Sequence, residues 1–147
     1  MKNRLFAPAM LFLAACTSAA QAATYEMFRD PNCGCCGKWA EHVRTENEVR
    51  VAETITVDMA TVKVERGVPQ DLWSCHTMIV DGYVIEGHVP AEQIEKLLAQ
   101  KPKGVVGLAV PGMPIGSPGM EVGNRKQPYQ VIAFRKDGSR FVFATYG

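Results

Sequence analysis

Three thiols fall within four positions in Pro31-Asn32-Cys33-Gly34-Cys35-Cys36-Gly37-Lys38-Trp39, and a fourth stands in Ser74-Cys75-His76-Thr77. Cys33 and Cys36 form a Cys-x-x-Cys pair. That spacing permits a disulfide, and it equally supplies two ligands to a soft metal. Cys35 is the added feature. Electron exchange through a dithiol uses two sulfurs, so a third beside them either resolves a mixed disulfide or acts as a third thiolate ligand. The plain alternative is one buried disulfide with a spare thiol. Further donors stand downstream: His88, and Met113 and Met120 at two Pro-Gly-Met turns. Each histidine is a metal ligand or a hydrogen-bonded structural residue. Each methionine is a thioether donor or apolar cover.

The elements that must position these residues follow from periodicity. Thr24–Arg29 reads as a strand ended by Asp30-Pro31-Asn32. The cysteine cluster comes next, then a helix from about Lys38 to Asn47 carrying Trp39, His42, Val43 and Glu46 on neighbouring turns. His42 is expected to be structural. Alternation through Val49, Val51, Ile55 and Val57 predicts a second strand, and Met59–Arg66 a short helix ended by Gly67-Val68-Pro69. Thr77–Val80 and Tyr83–Glu86 flank Asp81-Gly82, a hairpin signal. Pro90 opens a helix with an Ile94, Leu97, Leu98 stripe. Residues 101–128 hold six glycines and five prolines and are expected to form a long loop over the thiol-bearing face. Tyr129–Arg135 and Phe141–Tyr146 flank Asp137-Gly138 as a last hairpin. The fold class expected is α/β, with the β-α-β-α-β-β-α order of a thioredoxin-like domain, a C-terminal hairpin and a long Gly/Pro-rich loop.

That topology puts Cys33 between a strand and the start of a helix, where the helix dipole and free N–H groups favour a thiolate. It also aligns Ser74-Cys75-His76-Thr77 with the segment that carries a cis-proline against the dithiol in thioredoxin-like folds. A proline covers the thiols and binds no metal. A cysteine and a histidine leave the thiols open and add donors, so Cys75 becomes a fourth thiolate. Four thiolates with imidazole and thioether at hand select Cu(I), zinc or an iron–sulfur cluster. Structural zinc favours Cys pairs well separated in sequence. Adjacent Cys35 and Cys36 would strain around one tetrahedral ion, whereas bridging several Cu(I) ions relaxes that constraint.

With 47% hydrophobic and 21% charged residues, the 147-residue chain can bury one core, and disorder is excluded. A net charge of +1 leaves no basic excess for nucleic acid. The apolar run at the N-terminus is too short to span a bilayer. Residues 1–22 instead read as a secretory signal, with Lys2 and Arg4, an apolar Leu5–Ala15 and an Ala20-Gln21-Ala22 cleavage site. Residues 23–147 are then the mature metal-binding domain, in the periplasm, where disulfides persist. Leu13-Ala14-Ala15-Cys16 also fits a lipobox, and lipidation at Cys16 would be the sole route to a membrane.

At motif level the chain resembles a known family. That family's Thr-Cys-Gly-Cys-Cys-Gly-Lys-Trp stands here as Asn32–Trp39, with asparagine for threonine. Its Ser-Cys-His-Thr is Ser74–Thr77. Asp81–Pro90, Gly107–Pro114 and Gly116–Glu121 match as well. The motifs are similar to those of the exported copper-resistance proteins of the CopG type, long catalogued as a domain of unknown function. The resemblance implies a thioredoxin-like fold, Cu(I) held by Cys33, Cys35, Cys36 and Cys75 with His76, and a thiol redox role in copper handling. Copper ions, and envelope proteins that export or deliver copper, are the partners it implies. The residues themselves leave a thiol–disulfide oxidoreductase of the envelope open as the alternative, with Cys33 and Cys36 as its redox pair.

Overall fold

The computed structural model describes residues 23–147, so the segment 1–22 expected to be a signal and the lipobox reading at Cys16 lie outside the described residues. Strand β1 (Thr24–Arg29) pairs in parallel with β2 (Arg50–Ile55), and the helix α1 (Gly34–Glu46) forms the crossover between them. A short helix α2 (Met59–Glu65) and a 3₁₀ turn (Gln70–Leu72) lead into β3 (His76–Val80), which runs antiparallel to β1. β3 and β4 (Tyr83–Glu86) make the hairpin at Asp81-Gly82, with both residues at positive φ. Helix α3 (Ala91–Gln100), β5 (Val105–Ala109), β6 (Tyr129–Arg135) and β7 (Arg140–Tyr146) complete one seven-stranded sheet in the order β2-β1-β3-β4-β5-β6-β7. Trp39, Ala40, Val43, Ile94 and Leu97 cover one face from α1 and α3, and Val68 and Leu72 close part of the other. Among the described residues, no helix is long and apolar enough to cross a membrane.

Two differences from the expected elements bear on the site. Helix α1 starts at Gly34, not near Lys38, so Cys35 and Cys36 lie in its first turn and Cys33 is its N-cap. Glycine-rich sequence has weak intrinsic helix preference, which hides this turn from periodicity. Tertiary burial forms it: the buried stripe is Cys36, Trp39, Ala40 and Val43, and a cysteine is its first member.

The second difference is β5, which lies inside the segment expected to be loop. Its residues show no alternation because both faces are covered: Val105 and Leu108 pack on the α1/α3 side, Val106 and Ala109 on the other. β5 pairs in parallel with β4 and antiparallel with β6, and so carries the C-terminal hairpin on the sheet. Of that segment, the turn at 101–104 and residues 110–128 remain as loop, apart from an isolated bridge between Val122 and Arg125.

Gly107 is what lets β5 fit. A Cβ there would stand 2.2 Å from the Val84 carbonyl oxygen and 2.7 Å from the Phe134 ring. Gly107→Ala is therefore expected to lower the unfolding free energy by about 1–3 kcal/mol, the usual cost of overpacking. Chemical denaturation of the two proteins measures it. An unchanged midpoint would contradict the close packing of β4, β5 and β6.

Candidate metal centre

The turn Asp30–Asn32 delivers the chain from β1 into α1. The Asp30 side chain accepts the Asn32 N–H at 2.8 Å, and its carbonyl accepts the Cys33 N–H at 3.2 Å. The first turn of α1 has neither a side-chain cap nor an acidic residue, so no carboxylate in that turn offsets its positive dipole end beside the cysteines. Cys33 and Cys36 are joined as a disulfide, with Cα atoms 5.4 Å apart. Cys35 and Cys75 are free and half-buried. Cys35 Sγ lies 3.5 Å from Cys33 Sγ and 4.0 Å from Cys75 Sγ, so it links the α1 turn to the segment before β3. All four sulfurs fall within 4.8 Å of one another.

A second set of donors converges on the same sulfur. Cys75 Sγ is 3.0 Å from His88 Nε2 and 3.3 Å from His76 Nδ1, and these three ligand atoms also lie within 4.8 Å of one another. His88 Nδ1 donates to the Pro118 carbonyl at 2.7 Å. That bond fixes the tautomer, because a carbonyl only accepts, and it leaves the Nε2 lone pair aimed at Cys75. A ligating histidine is commonly oriented in this way through its other nitrogen. Burial holds the His88 imidazole below its ordinary pKa, against the opposing pull of Pro118 and Glu121. His76 is fully buried and shifted well below the ordinary range, first by burial and then by His88. Both rings are thus neutral at neutral pH. His76 Nε2, the nitrogen away from Cys75, is buried with no hydrogen-bond partner. The His76 ring lies 4.2 Å from that of Trp39, whose Nε1 donates to the Val89 carbonyl at 2.8 Å.

The loop spanning 110–128 is fastened over this end of the sheet. Gly112 N–H donates to the Trp73 carbonyl, and Ser74 Oγ donates to the Gly112 carbonyl. Gly119, at φ +81°, lies so close that a Cβ would stand 2.8 Å from the Cys35 carbonyl oxygen and from Trp39 N. Met120 follows it, half-buried, whereas Met113 is 52% exposed. His42 lies away from the thiols, with Nε2 accepting the Ala91 N–H at 3.3 Å to hold the start of α3.

Sequence reasoning missed a buried polar group beneath the site. Glu86 Oε1 accepts from Lys63 Nζ at 2.5 Å and from the Ser74 N–H at 2.6 Å, and Oε2 accepts from Thr77 Oγ1 at 2.7 Å. Lys63 Nζ also donates to Thr77 Oγ1 at 3.0 Å. Burial raises the Glu86 pKa, opposed by the Lys63 charge and by these hydrogen bonds. The available signal was Glu86 in an otherwise apolar strand, with Lys63 on the preceding helix.

These features define a mixed α/β protein whose cysteine cluster, with two neutral imidazoles beside it, suits a soft metal ion. Two solved structures are similar to the chain. Copper resistance protein CopG in form 2 is 45% identical, with 84% of this chain and 98% of that one covered and a TM-score of 0.79. Form 1 is 44% identical, with 86% and 98% covered and a TM-score of 0.80. A family described as a protein of unknown function, DUF411, matches residues 72–120, which include Cys75, His76 and His88. Comparison with curated proteins found no match. The chain belongs to the CopG family of copper resistance proteins, and its cysteine cluster fits copper binding.

Burial, reinforced by the nearby Cys35 sulfur, pushes the Cys75 thiol up to about 12. The neutral thiol is therefore the favoured form in the metal-free fold. The stability it contributes is complete below the unfolded thiol value, about 8.5, and is lost as pH rises towards 12. In metal-free protein, Cys75 is expected to alkylate far more slowly at pH 8 than in denatured protein, and to accelerate only in strong alkali. Peptide mass spectrometry after iodoacetamide pulses measures this. Equal rates in folded and denatured protein would contradict it.

Proposed function

We propose that this is an exported periplasmic protein that binds Cu(I) through Cys33, Cys35, Cys36 and Cys75 and serves copper resistance. The observation that carries the reading is the position of Cys35, within 4.0 Å of Cys75 and 3.5 Å of Cys33. A sulfur so placed can bridge ions shared by both chain segments. His88 and His76 are the imidazole donors at the Cys75 end. Sequestration and transfer to an envelope export or delivery protein are the tasks that fit a half-buried sulfur cluster with imidazoles at one end. Lys2, Arg4 and the Ala20-Gln21-Ala22 site support export, and the order β2-β1-β3-β4 with an antiparallel β3 supports the thioredoxin-like relationship.

The Cys33–Cys36 disulfide favours a second role, thiol–disulfide exchange, and sets a condition on the first. A disulfide offers no thiolate, so two electrons and two protons must open the pair before all four sulfurs can bind copper. Oxidation and copper binding then exclude one another at this pair.

The reduced protein, titrated anaerobically with Cu(I), tests the reading. Cys35→Ser and Cys75→Ser are expected to lower bound copper, and copper tolerance of cells carrying them, about as far as Cys33→Ser, with circular dichroism unchanged. Cu(I)–thiolate luminescence should persist with equimolar Zn(II) present. Full copper retention by the Cys35 and Cys75 variants, with loss only for Cys33 and Cys36, would replace the four-thiolate site with the redox pair.

A further inference from the structure

A buried ion pair is an unusual thing to find under a thiol site. Lys63 and Glu86 are both almost fully excluded from water. Removing two charges from water costs several kcal/mol per ion, and a well-packed apolar pair of similar volume is often as stable or more so. Stability alone therefore gives little reason for the pair. Its geometry gives a specific one.

Thr77 and Glu86 lie directly opposite each other on β3 and β4. The carboxylate is tied to Thr77 Oγ1 on one side of Cys75-His76 and to the Ser74 N–H on the other. The ammonium of Lys63 holds the carboxylate from below and also reaches Thr77. The next residue on the same stretch, Gly87, presses on Ser74 so closely that a Cβ would stand 2.4 Å from Ser74 Oγ, and its N–H donates to the His76 carbonyl at 3.0 Å. One residue further, His88 reaches Cys75 Sγ. The end of β4 thus grips the Cys75 turn by backbone and by sulfur within three residues.

We propose that Glu86, held by Lys63, is a positioning residue: its hydrogen bond to the Ser74 N–H fixes the backbone ahead of β3 and so aims Cys75 Sγ at Cys35 and His88. The role rests on Cys75 being a copper ligand for its consequence in copper affinity, but not for its effect on the Cys75 thiol itself.

Two double variants separate positioning from charge and from bulk stability, since neither leaves a buried charge unpaired. Glu86→Gln with Lys63→Met keeps a carbonyl oxygen for the Ser74 N–H. Glu86→Leu with Lys63→Met removes it. Competition with a chromophoric Cu(I) chelator should show about a 10–100-fold loss of affinity in the Leu/Met protein, the range for removing a group that orients a ligand. The Gln/Met protein should stay near wild type. Without metal, Cys75 should alkylate faster in the Leu/Met protein alone. Wild-type affinity and alkylation in the folded Leu/Met protein would overturn the proposal, and so would equal losses in both doubles. Hydrogen exchange on the wild type gives a check that needs no variant: the Ser74 amide should be protected like the amides of β3, and rapid exchange would overturn the bond. If the wild type took up no Cu(I) while alkylation followed the stated pattern, the copper reading would fail and the positioning role would stand.

Discussion

The contact between Cys35 and Cys75, two sulfurs 4.0 Å apart and forty residues apart in sequence, is the constraint on which the rest of the site depends. It needs the parallel β1-α1-β2 crossover, which presents the first turn of α1 at the end of β1. It also needs β3 to lie against β1, so that the residue just before β3 arrives at the same end of the sheet. The register places Arg29 opposite His76, which leaves Cys75 one residue beyond the pairing and free to face the helix. The missing proline matters here. A proline would stiffen this turn, and its absence leaves the job to hydrogen bonds from Ser74 and to the close approach of Gly87.

The surroundings of the sulfurs hold the donors in forms that bind a cation. The α1 N-terminus brings the positive end of the helix, without a side-chain cap, to the cysteines, and burial keeps both imidazoles neutral. Burial also keeps Cys75 protonated without metal, so binding there must displace a proton. Without metal, Cys75 is thereby protected from alkylation and from thiolate oxidation, unlike the disulfide-bonded Cys33–Cys36 pair, and a cation of sufficient thiophilicity overrides that protection. The loop adds the second control. Pro118 orients His88 and Gly119 rests on the Cys35 backbone, so a single segment packs against the cysteine turn and selects a histidine tautomer.

Much of this was legible in the sequence because it rests on local signals. The strand ends at Asp30-Pro31-Asn32, the Asp81-Gly82 turn and the Pro90 helix start are set by backbone preferences of a few residues, and the structure has them. The order of the first seven elements follows from those signals. Four features were not legible, each for a physical reason. The first turn of α1 is glycine-rich and is formed by burial of Cys36, not by propensity. β5 is covered on both faces, so it shows no alternation and its glycine and flanking prolines resemble loop. The Lys63–Glu86 pair joins residues that are far apart in sequence, and charge type alone does not reveal which charges are buried. The convergence of His88 on Cys75 is of the same kind, since it depends on the loop that ends far downstream at Pro128.

Copper-edge X-ray absorption on the reduced, Cu(I)-loaded protein tests the central claim most directly, because it reads the ligand atoms themselves. The account predicts a first shell dominated by sulfur with imidazole scattering, together with a copper–copper vector from bridging thiolates. It further predicts that Cys75→Ser reduces the sulfur contribution and the metal–metal vector while the fold persists. A shell of nitrogen and oxygen alone, or a spectrum unchanged by Cys75→Ser, would contradict the joining of the two cysteine segments in one copper centre.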